Sequence, residues 1–174
     1  MRVSAIALIT LAAACSPSEP PHWPEGGAAL QIPTARWQQG DDPIEIRPNG
    51  EVLQDGSLVF VIDRVGRVAD AEYDPMAILL PDGHLVGTDD QYLGQLGVTN
   101  AAPPWSQQAW LSVSAEGRVV AFDSDGDRTS LGRWEGCEGA ALRTCTLVTH
   151  LLALKRHRTR PSGPGIGLGI GMWL

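Results

Sequence analysis

Several kinds of residue and motif are scarce in this chain of 174 residues. Phe and Tyr occur twice each, against six Trp. Lys and Arg number 13 against 20 Asp and Glu, for a formal net charge of −7. Nonspecific nucleic-acid binding is driven by neutralising phosphates, and that balance argues against it. The apolar run at residues 3–14 is shorter than the roughly 20 residues a membrane-spanning helix needs. A Gly-x-Ser-x-Gly nucleophile elbow is missing. So is a phosphate-cradling loop, because the Gly run at the carboxyl end has neither the Lys nor the following helix of such a site. Cysteine occurs three times, at Cys15, Cys137 and Cys145. No second Cys or His pair near Cys137 and Cys145 has the spacing of a closed zinc site.

What the chain has in quantity is short alternating runs joined at tight corners. Ile44-Glu-Ile-Arg-Pro-Asn-Gly-Glu-Val-Leu53 turns at Asn49-Gly50, the run 77–86 turns at Asp82-Gly83, and the run 111–122 turns at Glu116-Gly117. Alternation places apolar side chains on one face of a strand, and Asn-Gly and Asp-Gly suit type I′ hairpins, in which both central residues take positive φ. The even spacing of Gly50, Gly83 and Gly117 suggests one unit used three times. Asp55-Gly56 and Arg64-Val65-Gly66 add further turns, and residues 57–62 form a β-branched apolar run suited to a buried strand. Asn100 to Ser106, with Pro103-Pro104, reads as a connecting loop. The fold class expected is mainly β: antiparallel meander repeats over residues 44–135, closed as a sandwich or small barrel.

After Trp134 the pattern changes. Leu142, Cys145, Val148, Leu151, Leu152 and Lys155 follow helical spacing. Thr144, Thr146, Val148 and Thr149 are β-branched and suit a strand as well, so the helix is the favoured of two readings. The basic cluster at residues 155–160 suits a helix carboxyl end. It also has the charge to meet anionic lipid head groups, although a solvated turn accounts for it more simply. Residues 163–174 alternate Gly with large apolar residues, which in a strand puts all the apolar side chains on one face. Residues 136–174 are therefore expected to add a helix and a Gly-alternating terminal strand, packed on the β domain.

Met1-Arg2, the apolar run and Leu11-Ala-Ala-Ala-Cys15 together resemble the signal peptide and lipobox of bacterial lipoproteins. In that family small residues precede a Cys that is acylated and becomes the first residue after cleavage. Here Ala12 holds the position three before the Cys, and the bulky Leu11 lies one place earlier. The resemblance implies that residues 1–14 are removed, that Cys15 carries lipid, and that the product stays at a membrane. Ser16 is compatible with the outer membrane in preference to the inner. The chain is similar in this respect, and in its repeated Asp/Asn-Gly hairpins, to small envelope lipoproteins of high-GC Gram-negative bacteria. Residues 15–43, rich in Pro and Gly, then read as a tether, with Trp23, Ile32 and Trp37 able to dock on the body. With Cys15 lipidated, Cys137 and Cys145 are left as a pair in an oxidising compartment and are expected to form a disulfide.

Candidate chemistry is thin. Asp123, Asp125 and Asp127 alternate as a Ca²⁺ loop would want. Gly126, however, stands fourth where an EF-hand needs its sixth, and Trp134 holds the twelfth place instead of Glu. Asp-Gly is also what a hairpin uses. His84 is expected to be exposed beside a corner, and His150 to be a satisfied structural histidine. The expectation is a lipid-anchored envelope protein of binding or structural type with no cofactor. Its partner would be the membrane, an envelope protein or anionic lipid. The alternatives are a secreted hydrolase with a carboxylate/His cleft and a Ca²⁺-stabilised envelope module.

Overall fold

A computed structural model describes residues 18–39 and 42–159. Cys15 and the Gly-alternating run 163–174 lie outside the described residues. Twelve strands follow one another: β1 (Ala35–Gln38), β2 (Ile44–Ile46), β3 (Glu51–Gln54), β4 (Ser57–Ile62), β5 (Arg67–Asp70), β6 (Pro75–Leu79), β7 (His84–Gly87), β8 (Tyr92–Leu96), β9 (Asn100–Ala102), β10 (Leu111–Val113), β11 (Arg118–Phe122) and β12 (Arg128–Glu135). The helix α1 (Leu142–Thr159) completes the order. Each strand pairs antiparallel with its neighbours in sequence, and β12 returns to β1, closing the barrel. Closure removes the unpaired edges that an open sheet would expose.

An eight-stranded barrel is filled by its own side chains, and the diameter grows with strand number. Twelve strands leave a lumen, and α1 occupies it. Every residue from Thr144 to Leu152 is buried, so this part of the helix has no solvent face. Inward strand residues such as Ile44, Val68, Leu85 and Val119 join Leu147, Val148 and Leu152 in one core. The threonines that weakened the helix reading each have a partner. Thr144 donates to Gln31 O (2.8 Å), Thr146 to Val98 O (2.8 Å) and Thr149 to Cys145 O (2.7 Å). Enclosure by tertiary structure thus overrides weak propensity. At Gly94 a side chain would meet His150 Nε2 at 2.8 Å, so glycine lets the helix lie against β8.

The seam between β1 and β12 is closed by two indoles. Trp37 and Trp134 are register partners, stacked with centroids 5.5 Å apart. Trp37 Nε1 donates to Leu131 O and Trp134 Nε1 to Thr149 Oγ1. Strand β1 comes from the segment expected to be a tether. From Trp23 onward that segment packs on the barrel: Gly27 N donates to Val65 O, Ala28 N to Leu79 O and Leu30 N to Arg64 O, and both Ala28 and Leu30 are buried. Arg67 holds it from below, donating to Trp23 O and Pro24 O. The boundary at residue 44 is corrected accordingly, because the folded body needs β1 to close.

The repeat is also finer than three units. Hairpin corners fall at Gly50, Gly66, Gly83 and Gly117, all with positive φ, and at Thr99-Asn100. Their carbonyls interlock with the next hairpin: Gly50 O accepts from Ile62 N, Gly66 O from Leu79 N, Gly83 O from Leu96 N, Thr99 O from Val113 N and Gly117 O from Trp134 N. Asn49, Asp82 and Glu116 are absent from the positive-φ residues. These corners therefore have a single left-handed glycine, the G1-bulge arrangement, in place of the expected type I′ turn. Asp55 and Gly56 both have positive φ and form the two-residue turn between β3 and β4. Residues 100–102, read as loop, form β9, whose two alanines carry little strand signal.

Cys137 and Cys145 form the expected disulfide, with Cα atoms 6.2 Å apart. It ties the approach to the helix to its first turn. On the chain-entropy account a loop this short contributes about 2–3 kcal/mol.

Candidate binding site

The interlocked corners and the segment 20–34 cover the barrel end where α1 begins. At the other end α1 emerges, and the connections there leave a cavity of about 860 Å³. This lies within the range of roughly 300–1,000 Å³ typical of small-molecule sites. Its inner wall is made by Trp37, Leu111, Ala121, Leu131 and Ala153, with Thr149 among them. Strand alternation places Trp37, Leu111 and Ala121 on the lumen face, and helical spacing places Thr149, Ala153 and Arg156 along one side of α1. Gln38, Gln39, Asp42, Gln54, Ser130 and Thr159 complete the mouth.

The titratable groups among the lining residues are Asp42, Arg156 and His157. Arg156 Nη1 donates to Gln39 Oε1 at 2.7 Å. Partial burial lowers the Arg156 pKa and the nearby Asp42 charge opposes that shift; a guanidinium remains a cation regardless. His157 stacks on Trp105 with centroids 4.5 Å apart, and Trp105 meets Trp110 edge to face at 5.4 Å. Trp105, an exposed indole, is thereby a clamp on the helix end. Trp110 reaches inward, its Nε1 donating to His150 Nδ1 at 3.0 Å. That bond fixes the proton on the other nitrogen, so His150 Nε2 donates to Leu93 O at 2.9 Å. Both nitrogens of His150 are therefore engaged in the neutral ring. Burial lowers its pKa to about 4. His150 holds α1 to β8, the structural role expected for it.

The three aspartates proposed for Ca²⁺ lie together on the exposed β11–β12 turn. Asp123 Oδ1 accepts from the backbone N–H of Asp125 and of Asp127, at 3.0 and 2.9 Å. The carboxylate thus shapes the β11–β12 turn, as Asp63 does for Val65 and Arg67. Among the described residues no group of three His, Cys, Asp or Glu is placed to hold a metal. His84 lies on the surface as expected, its Nδ1 2.8 Å from Asp82 Oδ2. Hydrogen bonds from the His84 backbone and ring lower the Asp82 pKa.

The basic cluster was read as a helix end or a contact for anionic head groups; in the fold Arg156 and His157 border the cavity. Trp110, Gln38 and Gln39 carried no signal at all, since what unites them is the barrel's closure through β1. Comparison with protein-family models, with curated proteins and with solved structures found no match to this chain.

Proposed function

We propose that this chain is a lipid-anchored binding module of the bacterial cell envelope, displayed on an acylated Cys15 and receiving a ligand in the open end of its barrel. The observation that carries the reading is the cavity of about 860 Å³, with an apolar wall and a polar mouth, left among the described residues at the end of the barrel where α1 emerges. Two sequence features support the compartment: the lipobox-like Leu11-Ala-Ala-Ala-Cys15 and the cystine Cys137–Cys145, a bond that persists in oxidising spaces. The outer membrane is preferred because Ser16 follows the lipid-bearing Cys. Binding is favoured over hydrolysis because the buried His150 is committed to Trp110 and Leu93. The test is mass spectrometry of the mature protein from envelope fractions. A diacylglyceryl Cys15 at the new amino terminus is expected. A free thiol at Cys15, or an uncleaved leader on a cytosolic form, contradicts the anchor.

A further inference from the structure

Thr159, the last residue of α1, lines the cavity, so the chain that follows it starts at the mouth. Residues 160–165 read Arg-Pro-Ser-Gly-Pro-Gly, a composition that stops a helix and favours a turn. Six residues span about 20 Å at full extension, enough to lead the chain back toward the cavity it has just left. Ile166, Leu168 and Ile170 then alternate with glycine, and residues 161–174 hold no charged side chain. In extended form such a run is apolar on one face and bare on the other. Left in water it would be an uncharged hydrophobic strand, the kind of surface that proteins cover.

The cavity complements that run in shape and chemistry. Its walls combine small residues, Ala121 on β11 and Ala153 on α1, with the indoles of Trp37 and Trp110. Aliphatic side chains fill the space beside the alanines, and a glycine face lets the backbone approach the indoles, where a Cβ would hold it away. An extended backbone also brings N–H and C=O groups that need partners. Gln38, Gln54 and Ser130 at the mouth carry amides and a hydroxyl that can serve them. We infer that residues 166–170 fold back into the cavity as an intramolecular plug, which a ligand must displace in order to bind. This inference rests on the cavity being the protein's binding site.

The experiment joins methyl nuclear magnetic resonance of the purified chain, free of lipid and detergent, to titration with the neutral dye N-phenyl-1-naphthylamine. Cross-relaxation is expected between methyl groups of Ile166, Leu168 or Ile170 and those of Leu111, Ala121 or Ala153. A plug seated in about 90% of molecules weakens a competing ligand about ten-fold. The double variant Leu168→Gln, Ile170→Gln should therefore bind the dye about ten-fold more tightly than the natural sequence. Adding Ala153→Trp to that variant fills the cavity and should abolish dye binding. Absence of the cross-relaxation, or its appearance only between differently labelled copies, overturns the plug. Dye binding that Ala153→Trp abolishes would in that event leave the cavity reading standing. Equal dye affinity of the natural sequence and the double variant overturns the displacement. Cross-relaxation with no dye binding to the double variant overturns the binding-site reading, and the segment is then fixed filling of the core.

Discussion

The two ends of the barrel are built on different rules. Where α1 enters, five hairpin corners lock carbonyl to amide with their neighbours. The cystine and the segment bearing Ala28 and Leu30 cover the same end. Where α1 leaves, the connections are unlike one another, from the two-residue Asp55-Gly56 turn to the Trp105 loop, and a cavity remains. Repetition satisfies backbone groups at one end and frees the other from structural duty. Binding surfaces commonly sit on variable connections carried by a rigid scaffold, and here the division runs along a single barrel.

Tryptophan substitutions should show the contrast most strongly. Trp134 is 2% exposed and stacks on Trp37, whereas Trp105 is 57% exposed over the open end. Trp134→Ala should cost about 3–5 kcal/mol in denaturant unfolding, from a core cavity and the loss of the hydrogen bond to Thr149 Oγ1. Trp105→Ala should cost about 1 kcal/mol. Similar losses at the two sites would dissolve the distinction between the ends.

Glycines offer a second comparison. A side chain at Gly50 would overlap the carbonyl of Ile62, while one at Gly56 would meet nothing nearby, although both residues have positive φ. Gly50→Ala should cost about 3 kcal/mol, left-handed strain plus overpacking, and Gly56→Ala about 1 kcal/mol from strain alone. Melting temperatures of the two variants decide whether the interlock is as tight as the geometry requires.

Acid should test the middle of the helix. The folded-state pKa of His150 is lowered to about 4, so the unfolded chain binds more protons in this range. The stability that burial of neutral His150 represents is complete above the unfolded value near 6.5 and is lost as pH falls toward 4. The loss should reach about 2 kcal/mol by pH 5. His150→Gln should be less stable at neutral pH and lose less between pH 7 and 5. An unchanged pH dependence would place the titrating group elsewhere.

Much of the barrel was legible from the chain itself. Alternation and Asp/Asn-Gly corners announce antiparallel hairpins, and setting Cys15 aside as the lipid-bearing residue left Cys137 to pair with Cys145. Closure was not legible. Strand β1 is flanked by Pro33 and Pro43 and reads as linker, because its only strong signal is alternation around Trp37. The lumen helix was half legible: a helix buried all round has no polar face to set the phase of its apolar stripe. The cavity was hidden for a related reason, since its walls come from β1, β10, β11, β12 and α1, which only the closed ring brings together. The Asp123–Asp127 run is ambiguous in sequence because a turn and a cation loop ask for the same carboxylates.

The central claim is that, among the described residues, a barrel encloses α1 tightly around its amino end and leaves a cavity around its carboxyl end. Hydrogen exchange read residue by residue tests it directly. Amides from Thr144 to Leu152 should exchange only through global unfolding, while those of residues 156–159 and of the β11–β12 turn exchange through much cheaper local openings. Exchange of the Thr144–Leu152 amides through such local openings, well below the free energy of global unfolding, would contradict it.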